Sequence, residues 1–295
     1  MVLTTAAGPS ADPYPAPAPV APLVLGVQAR YDAVRADIAK ALETAKRVRD
    51  SGMRHTLEAF AGRQFLSFDA RGTGRAVEVL GDLEHADRVA VVVPGADSDL
   101  GNFDSRKWAG GAARSLAAQM RSVDPGAHVA VIAWLGYDSP STLGFDILSD
   151  GTAKDGARGL RRLVADVRSV NPTARMTLLC HSYGSVVCTN ALKGTDVQAV
   201  ALFGSPGTDG PETVRALGTS AHVWAGRGTD DWVQLVPHAR LFGIGFGTDP
   251  VSDGFGADVF DAGSAQHSDY LKPGTRSLLN LSRIALGRDS EVSRA

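Results

Sequence analysis

Short apolar runs alternate with segments of helical period from residue 88 to residue 225, and this alternation restricts the fold more than any other feature of the chain. The runs are Arg88–Val93 (RVAVVV), His128–Trp134, Met176–Cys180, Val197–Phe203 and His222–Ala225. Between them, Lys107–Met120, Ala157–Val170, Ser185–Leu192 and Pro211–Leu217 carry the spacing of helices. A continuous β-branched run suits a strand buried on both faces, and repeated strand–helix–strand units give a mainly parallel sheet covered by helices on both sides. Upstream, Gln64–Asp69 and Arg75–Gly81 read as a hairpin around Arg71-Gly72-Thr73-Gly74. After Ala225 the pattern no longer separates strand from helix until Gly274–Leu286, a final helix.

Ahead of this domain, residues 1–22 form a Pro/Ala-rich arm whose composition predicts disorder. Val27, Tyr31, Val34, Ile38, Leu42 and Ala45 then recur at helical spacing, with Ser51-Gly52 as a stop. The expected organisation is an N-terminal helical segment over 23–58, as one amphipathic helix or two broken ones, and an α/β domain over 59–290. With 295 residues, 44% of them hydrophobic, the chain can bury a sizeable core. Its formal net charge of −2 gives no electrostatic reason to expect a nucleic acid or an anionic membrane as partner. No apolar run reaches the roughly 18 residues of a transmembrane helix, and the N-terminus lacks a basic n-region and an unbroken apolar h-region. A cytoplasmic location is the expectation, with oligomeric state left open.

No Cys/His set has zinc-ligand spacing, and neither HExxH nor a calcium loop occurs, so no metal or other cofactor is expected. The two cysteines, Cys180 and Cys188, flank the motif LLCHSYGSVVC. In a reducing compartment they read as two buried thiols; the alternative is a disulfide, if the side chains meet.

In an open α/β sheet, functional groups gather on the loops at the carboxyl ends of strands. Four such ends carry suggestive residues. After Met176–Cys180 comes Ser182, in a small-x-Ser-x-Gly arrangement that suits a tight strand-to-helix turn with Oγ exposed at the helix N-terminus. After Arg88–Val93 comes PGADSDLGNFD, where the backbone N–H of Ala96 could pair with that of Tyr183 as an oxyanion hole. After His222–Ala225 comes RGTDDWV, in which Asp230 and Asp231 both qualify as the acid that orients a histidine. The Asp-x-Val arrangement leading to Pro237 favours Asp231, leaving Asp230 as a turn or capping residue. The fourth is AQHSDY before the last helix. His238 and His267 are the histidines that follow the acid in the order Ser…Asp…His, and His267 is the better placed. His181, next to the serine, is expected to turn away from Oγ. Each piece has a bland reading as an ordinary turn or surface residue, but together and in this order they specify a nucleophilic site.

On these residues the chain resembles the α/β-hydrolase superfamily, and more narrowly a bacterial α/β-hydrolase family catalogued as a domain of unknown function. The resembling stretches are VPGADSDLGNFD, AWLGYDSP, LCHSYGSVV, FGSPG, DDWV and AQHSDY, spread over roughly residues 60–287. The resemblance implies an eight-stranded, mostly parallel sheet, with Ser182 as nucleophile, His267 as general base and Asp231 as acid. The departure is Cys180, where glycine is usual. Trp134 and Tyr137, at the end of the His128–Trp134 strand, are expected to shape the acyl pocket, with Trp134 as plain core the alternative. Asp138 is expected to hydrogen-bond a neighbouring loop.

The activity this implies is a carboxylesterase- or lipase-type serine hydrolase acting on a small-molecule ester or acyl substrate. The rivals are an acyltransferase or thioesterase with the same triad, and a catalytically silent binding module that offers its N-terminal helix as an interaction surface. Residues 235–256 mix glycine and polar residues with scattered apolar ones, which does not make a strongly apolar lid. Short- or medium-chain esters are therefore favoured over long ones.

Overall fold

Side chains of strand β3 (Arg88–Val93) alternate between two buried clusters, Val89, Val91 and Val93 in one and Ala90 and Val92 in the other. A pleated strand buried on both faces requires this. In the computed structural model, which describes residues 12–19, 23, 26–142, 150–235 and 246–295, β3 lies near the middle of an eight-stranded sheet. The other strands are β1 (Gln64–Asp69), β2 (Arg75–Leu80), β4 (Val129–Leu135), β5 (Arg175–His181), β6 (Ala199–Phe203), β7 (His222–Gly226) and β8 (Asp258–Val259). Their order is β1-β2-β4-β3-β5-β6-β7-β8. The β1/β2 and β2/β4 pairs are antiparallel, and every pair from β4 to β8 is parallel. This is the mostly parallel sheet implied by the sequence.

Helices α3 (Ala109–Val123) and α6 (Arg276–Leu286) pack against each other on one face, and α4 (Asp150–Val170) and α5 (Tyr183–Ala191) against each other on the other. The chain runs from β3 through α3 to β4 on one side, then through α4 to β5 on the other side of β3. The winding therefore reverses at β3, and the loops after β3 and β5 flank the crevice where such sheets hold their ligands.

The N-terminal segment forms two helices, α1 (Val27–Val48) and α2 (Ser51–Ala59). Ser51-Gly52, read as a stop, instead opens the second helix. Asp50 restarts it as N-cap, its Oδ1 accepting the Met53 N–H at 3.0 Å. Helix α1 packs along edge strand β1 and so covers an otherwise unpaired side of the sheet. Residues 1–11 and 20–22 of the Pro/Ala-rich arm lie outside the described residues. Residues 12–19 rest on the domain: Tyr14 is buried and its hydroxyl donates to Asp50 at 2.8 Å, and the Gly72 N–H donates to Asp12 at 2.8 Å.

Helix α4 begins seven residues earlier than the expected Ala157. Gly151, Gly156 and Gly159 read as weak helix formers, yet two of them permit close packing. A Cβ at Gly156 would stand 3.1 Å from Val187 on α5, and one at Gly159 3.2 Å from the Gly136 carbonyl. Of the expected helix at Pro211–Leu217, only a 3₁₀ turn at Val214–Leu217 forms.

Candidate active site

Strand β5 ends at His181 and α5 begins at Tyr183, so Ser182 alone makes the turn. Its backbone stands at φ 52°, ψ −127°, a region that a non-glycine residue occupies only where its surroundings force it. Two glycines make room for that turn. A Cβ at Gly184 would lie 2.6 Å from the carbonyl oxygens of Val93 and Pro94, and one at Gly95 only 2.7 Å from Ser182 Cβ. The loop after β3 is thus pressed directly against the serine.

Cys180 and Cys188 form a disulfide with Cα atoms 6.4 Å apart, in place of the two free thiols favoured by the sequence. The reason is geometric. Cys180 lies ~7 Å back from Ser182 along the strand and Cys188 ~9 Å forward along the helix. A helix that folds back over its own strand brings the two level.

His267, on the loop between β8 and α6, joins the serine to the acid. Its Nε2 lies 2.9 Å from Ser182 Oγ, and its Nδ1 lies 2.9 and 3.1 Å from the two carboxylate oxygens of Asp231. Asp231 is fully buried. Its Oδ1 accepts the Val233 N–H at 2.9 Å, and its Oδ2 accepts the Tyr270 hydroxyl at 2.6 Å. Burial acts to raise the Asp231 pKa, but the hydrogen bonds from His267, Tyr270 and Val233 outweigh it and hold it below the usual carboxylate range. The ionised carboxylate accepts a hydrogen bond from Nδ1–H, which leaves Nε2 to accept from the serine. Asp230 is exposed, and its carboxylate accepts from Thr229 Oγ1 at 3.1 Å instead of meeting His267. His238 lies outside the described residues.

Sequence reasoning missed Tyr270 and gave His181 no task. Tyr270 accepts the Gly228 N–H at 3.0 Å while donating to Asp231, which ties the acid to the start of its own loop. His181 turns away from Ser182 Oγ, and its Nε2–H donates to the backbone carbonyl of His267 at 2.7 Å. Burial among Phe203, Tyr270 and His267, reinforced by the charge His267 would carry, drives its pKa down to about 3 and keeps the ring neutral. Neighbouring sequence gave one clue to both: AQHSDY places Tyr270 three residues after His267, and His181 precedes the serine.

Trp134 and Tyr137 do not line the site. They are 2% and 3% exposed and stack on each other with centroids 5.6 Å apart, and Tyr137 stacks in turn on Tyr183. The Tyr137 hydroxyl donates upward to the carbonyls of Pro94 and Gly95, at 2.9 and 3.2 Å. Asp138 pairs with Arg75 of β2 at 3.6 Å. The cavity in front of Ser182 has a volume of about 410 Å³ and is walled by Ala96, Trp108, Pro206, Trp232 and Phe246. Trp232 is 54% exposed at its mouth, with its ring 4.6 Å from that of His267. These walls come from loops whose side-chain directions no periodicity reports.

Among the described residues, no group of three His, Cys, Asp or Glu side chains converges so as to hold a metal ion, and no helix is long and apolar enough to cross a membrane.

The sequence pattern of a family described as alpha/beta hydrolase matches residues 69–241. An uncharacterized protein of Mycobacterium tuberculosis strain H37Rv, Rv2079, is 30% identical over 260 residues, covering 75% of this chain and 38% of that protein. The chain thus spans well under half the length of that relative. An uncharacterized protein of Mycobacterium bovis, Mb0988c, is 32% identical over 203 residues, covering 65% of this chain and 76% of that one. Among solved structures, the dienelactone hydrolase-like promiscuous phosphotriesterase P91 from metagenomic libraries superposes with a TM-score of 0.48 at 14% identity, covering 76% of this chain and 95% of that chain. Esterase PE8 superposes with a TM-score of 0.46 at 15% identity, covering 72% and 98%.

Proposed function

The chain belongs to the alpha/beta hydrolase family, and from that premise we propose that it is a serine hydrolase of the carboxylesterase type, acting on small-molecule esters through an acyl-serine intermediate. The observation that carries the reading is the unbroken chain Ser182 Oγ–His267 Nε2 and His267 Nδ1–Asp231, each link 2.9 Å, at the wall of a cavity. His267 takes the Ser182 proton as Oγ attacks the ester carbonyl, and Asp231 stabilises the imidazolium that results. The oxyanion rests on the N–H groups of Ala96 and of Tyr183, the first residue of α5. Collapse of the tetrahedral intermediate expels the alcohol, protonated by His267. Water, deprotonated by the same histidine, then attacks the acyl-enzyme and frees the acid.

The cavity supports an acyl group of short or medium length, since its apolar wall is made by a few aromatic side chains and its mouth is partly closed by Trp232. The test is labelling with a fluorophosphonate probe and turnover of p-nitrophenyl esters. Wild type labels at Ser182; Ser182→Ala neither labels nor turns over ester, with loss on the order of 10⁴-fold or more. A wild-type protein that never labels, or a Ser182→Ala variant that labels equally well, overturns the reading. Addition of competing alcohol or thiol acceptors in the same assay separates hydrolysis from acyl transfer.

We infer an oxidising compartment from the Cys180–Cys188 disulfide, which is rare where thiols are kept reduced.

A further inference from the structure

The Gly95 carbonyl oxygen accepts three side-chain hydroxyls: Ser98 Oγ at 2.9 Å, Ser139 Oγ at 3.0 Å and Tyr137 OH at 3.2 Å. A carbonyl has two lone pairs, and one donor satisfies a buried one. Three converging hydroxyls, drawn from the loops after β3 and β4, hold its direction instead. The direction of each proton is itself constrained. Ser139 Oγ accepts the Ser98 N–H at 3.1 Å, so its own hydrogen is free to point at Gly95. Tyr137 OH is shared between the carbonyls of Pro94 and Gly95, neither of which can donate.

The consequence lies on the other side of the same peptide plane. The Gly95–Ala96 bond is trans, as are the other described peptide bonds, so the Ala96 N–H points opposite to the Gly95 C=O. None of the three clamping residues lines the cavity, whereas Gly95, Ala96 and Ser182 all do. A carbonyl held toward the hydroxyls therefore turns the Ala96 N–H toward the serine. The next residue is fixed as well. Asp97, at φ 61°, donates its N–H to Pro140 O at 2.9 Å, and its carboxylate accepts the N–H and hydroxyl of Thr142 at 3.0 and 2.7 Å. The peptide cannot rotate without breaking bonds on both sides.

We propose that Ser98, Tyr137 and Ser139 form a hydroxyl clamp on the Gly95 carbonyl that pre-sets the Ala96 N–H as an oxyanion donor; they are positioning residues that never touch substrate. This rests on the serine hydrolase reading above. Hydroxyl dipoles aimed at the carbonyl oxygen also polarise the peptide and strengthen its N–H as a donor. The clamp acts only where negative charge develops, so its loss should fall on kcat and leave KM nearly unchanged.

The experiment compares wild type with Ser139→Ala, Ser98→Ala, Tyr137→Phe and the Ser98→Ala/Ser139→Ala pair. Readouts are p-nitrophenyl ester kinetics, the rate of fluorophosphonate labelling, inhibition by a boronic acid that mimics the tetrahedral intermediate, and melting temperature. Each single variant is expected to lose about tenfold in kcat, and the pair approaches the roughly 100- to 1,000-fold loss that follows removal of an oxyanion donor itself. KM stays within twofold, boronate affinity falls in parallel with kcat, and Ser139→Thr, which keeps a hydroxyl, restores the rate. A double variant that folds and turns over ester at the wild-type kcat overturns the clamp while leaving the serine hydrolase reading intact. So does one whose kcat falls without a parallel fall in boronate affinity, because a misplaced oxyanion donor weakens both. A wild type that does not label with the probe removes the serine hydrolase reading and the clamp with it.

Discussion

The two loops that meet at Ser182 are held by opposite chemistries. On the acid–base side, His267 is fixed by ionisable partners: Asp231 beneath one ring nitrogen, and neutral His181 beneath its backbone carbonyl. On the oxyanion side, the loop after β3 is fixed by uncharged hydroxyls of Ser98, Tyr137 and Ser139 on one carbonyl. The bonds to His267 depend on protonation states, whereas the three hydroxyl bonds to the Gly95 carbonyl do not. Proton transfer needs groups whose charge can change, whereas an oxyanion hole needs dipoles already in place before charge appears.

Breaking the acid–base side at its charge should give the largest effect. Asp231→Asn keeps the shape but removes the charge that stabilises the imidazolium, and kcat should fall on the order of 10³- to 10⁴-fold. Asp230→Asn, one residue away but exposed, should stay within about twofold of wild type in the same ester assay. Equal losses in the two variants would mean that the acid had been assigned to the wrong residue.

A smaller effect separates the two sides by pH. The folded pKa of His181, about 3, lies below its ordinary value of 6.5. The unfolded chain therefore binds more protons between those values, so the contribution of a neutral His181 is complete above pH 6.5 and is lost as pH falls toward 3. Its surroundings include His267 and Asp231, and Lys107 also opposes a charge there. Asp231 loses its contribution lower down, as pH falls from the ordinary carboxylate range through its depressed pKa. Thermal melts from pH 7 to pH 4.5 should show a decline for wild type that is visibly flatter for His181→Asn. Ser139→Ala, on the uncharged side, should keep the wild-type slope. Parallel slopes for all three proteins would remove the distinction.

Only a small effect on activity should come from the disulfide, which joins β5 to α5 away from His267 and Asp231. Thiol titration of denatured, unreduced protein should find no free thiols, and two after reduction. Cys188→Ser should cost roughly 2–3 kcal/mol of stability by loop entropy, with kcat changed severalfold at most. Two thiols before reduction would show that the cysteines are unpaired.

Much of this arrangement was legible in the chain because it depends on order and period. Apolar runs such as RVAVVV can be satisfied only inside a sheet covered on both faces, and their ends mark where loops must carry function. The order of Ser182, Asp231 and His267, with Gly95-Ala96 at an earlier strand end, follows from that reading. The misreadings share a cause. Tyr137 sits at the end of β4, next to the site, but its ring lies beneath the loop and its hydroxyl reaches the far face of the Gly95 peptide. Ser51-Gly52 resembled a stop because the pattern does not show that Asp50 caps a new helix. Cys180 resembled a reduced thiol because the two cysteines, eight residues apart in sequence, become level only when α5 folds back on β5.

The sequence by itself determined a mostly parallel sheet and the residues presented at its carboxyl edge, since burial period and strand–loop order are written locally. The tertiary structure alone decided where two cysteines join and which hydroxyls hold one backbone carbonyl. Those choices depend on the directions of side chains brought together from distant loops, and direction at that scale is fixed by packing.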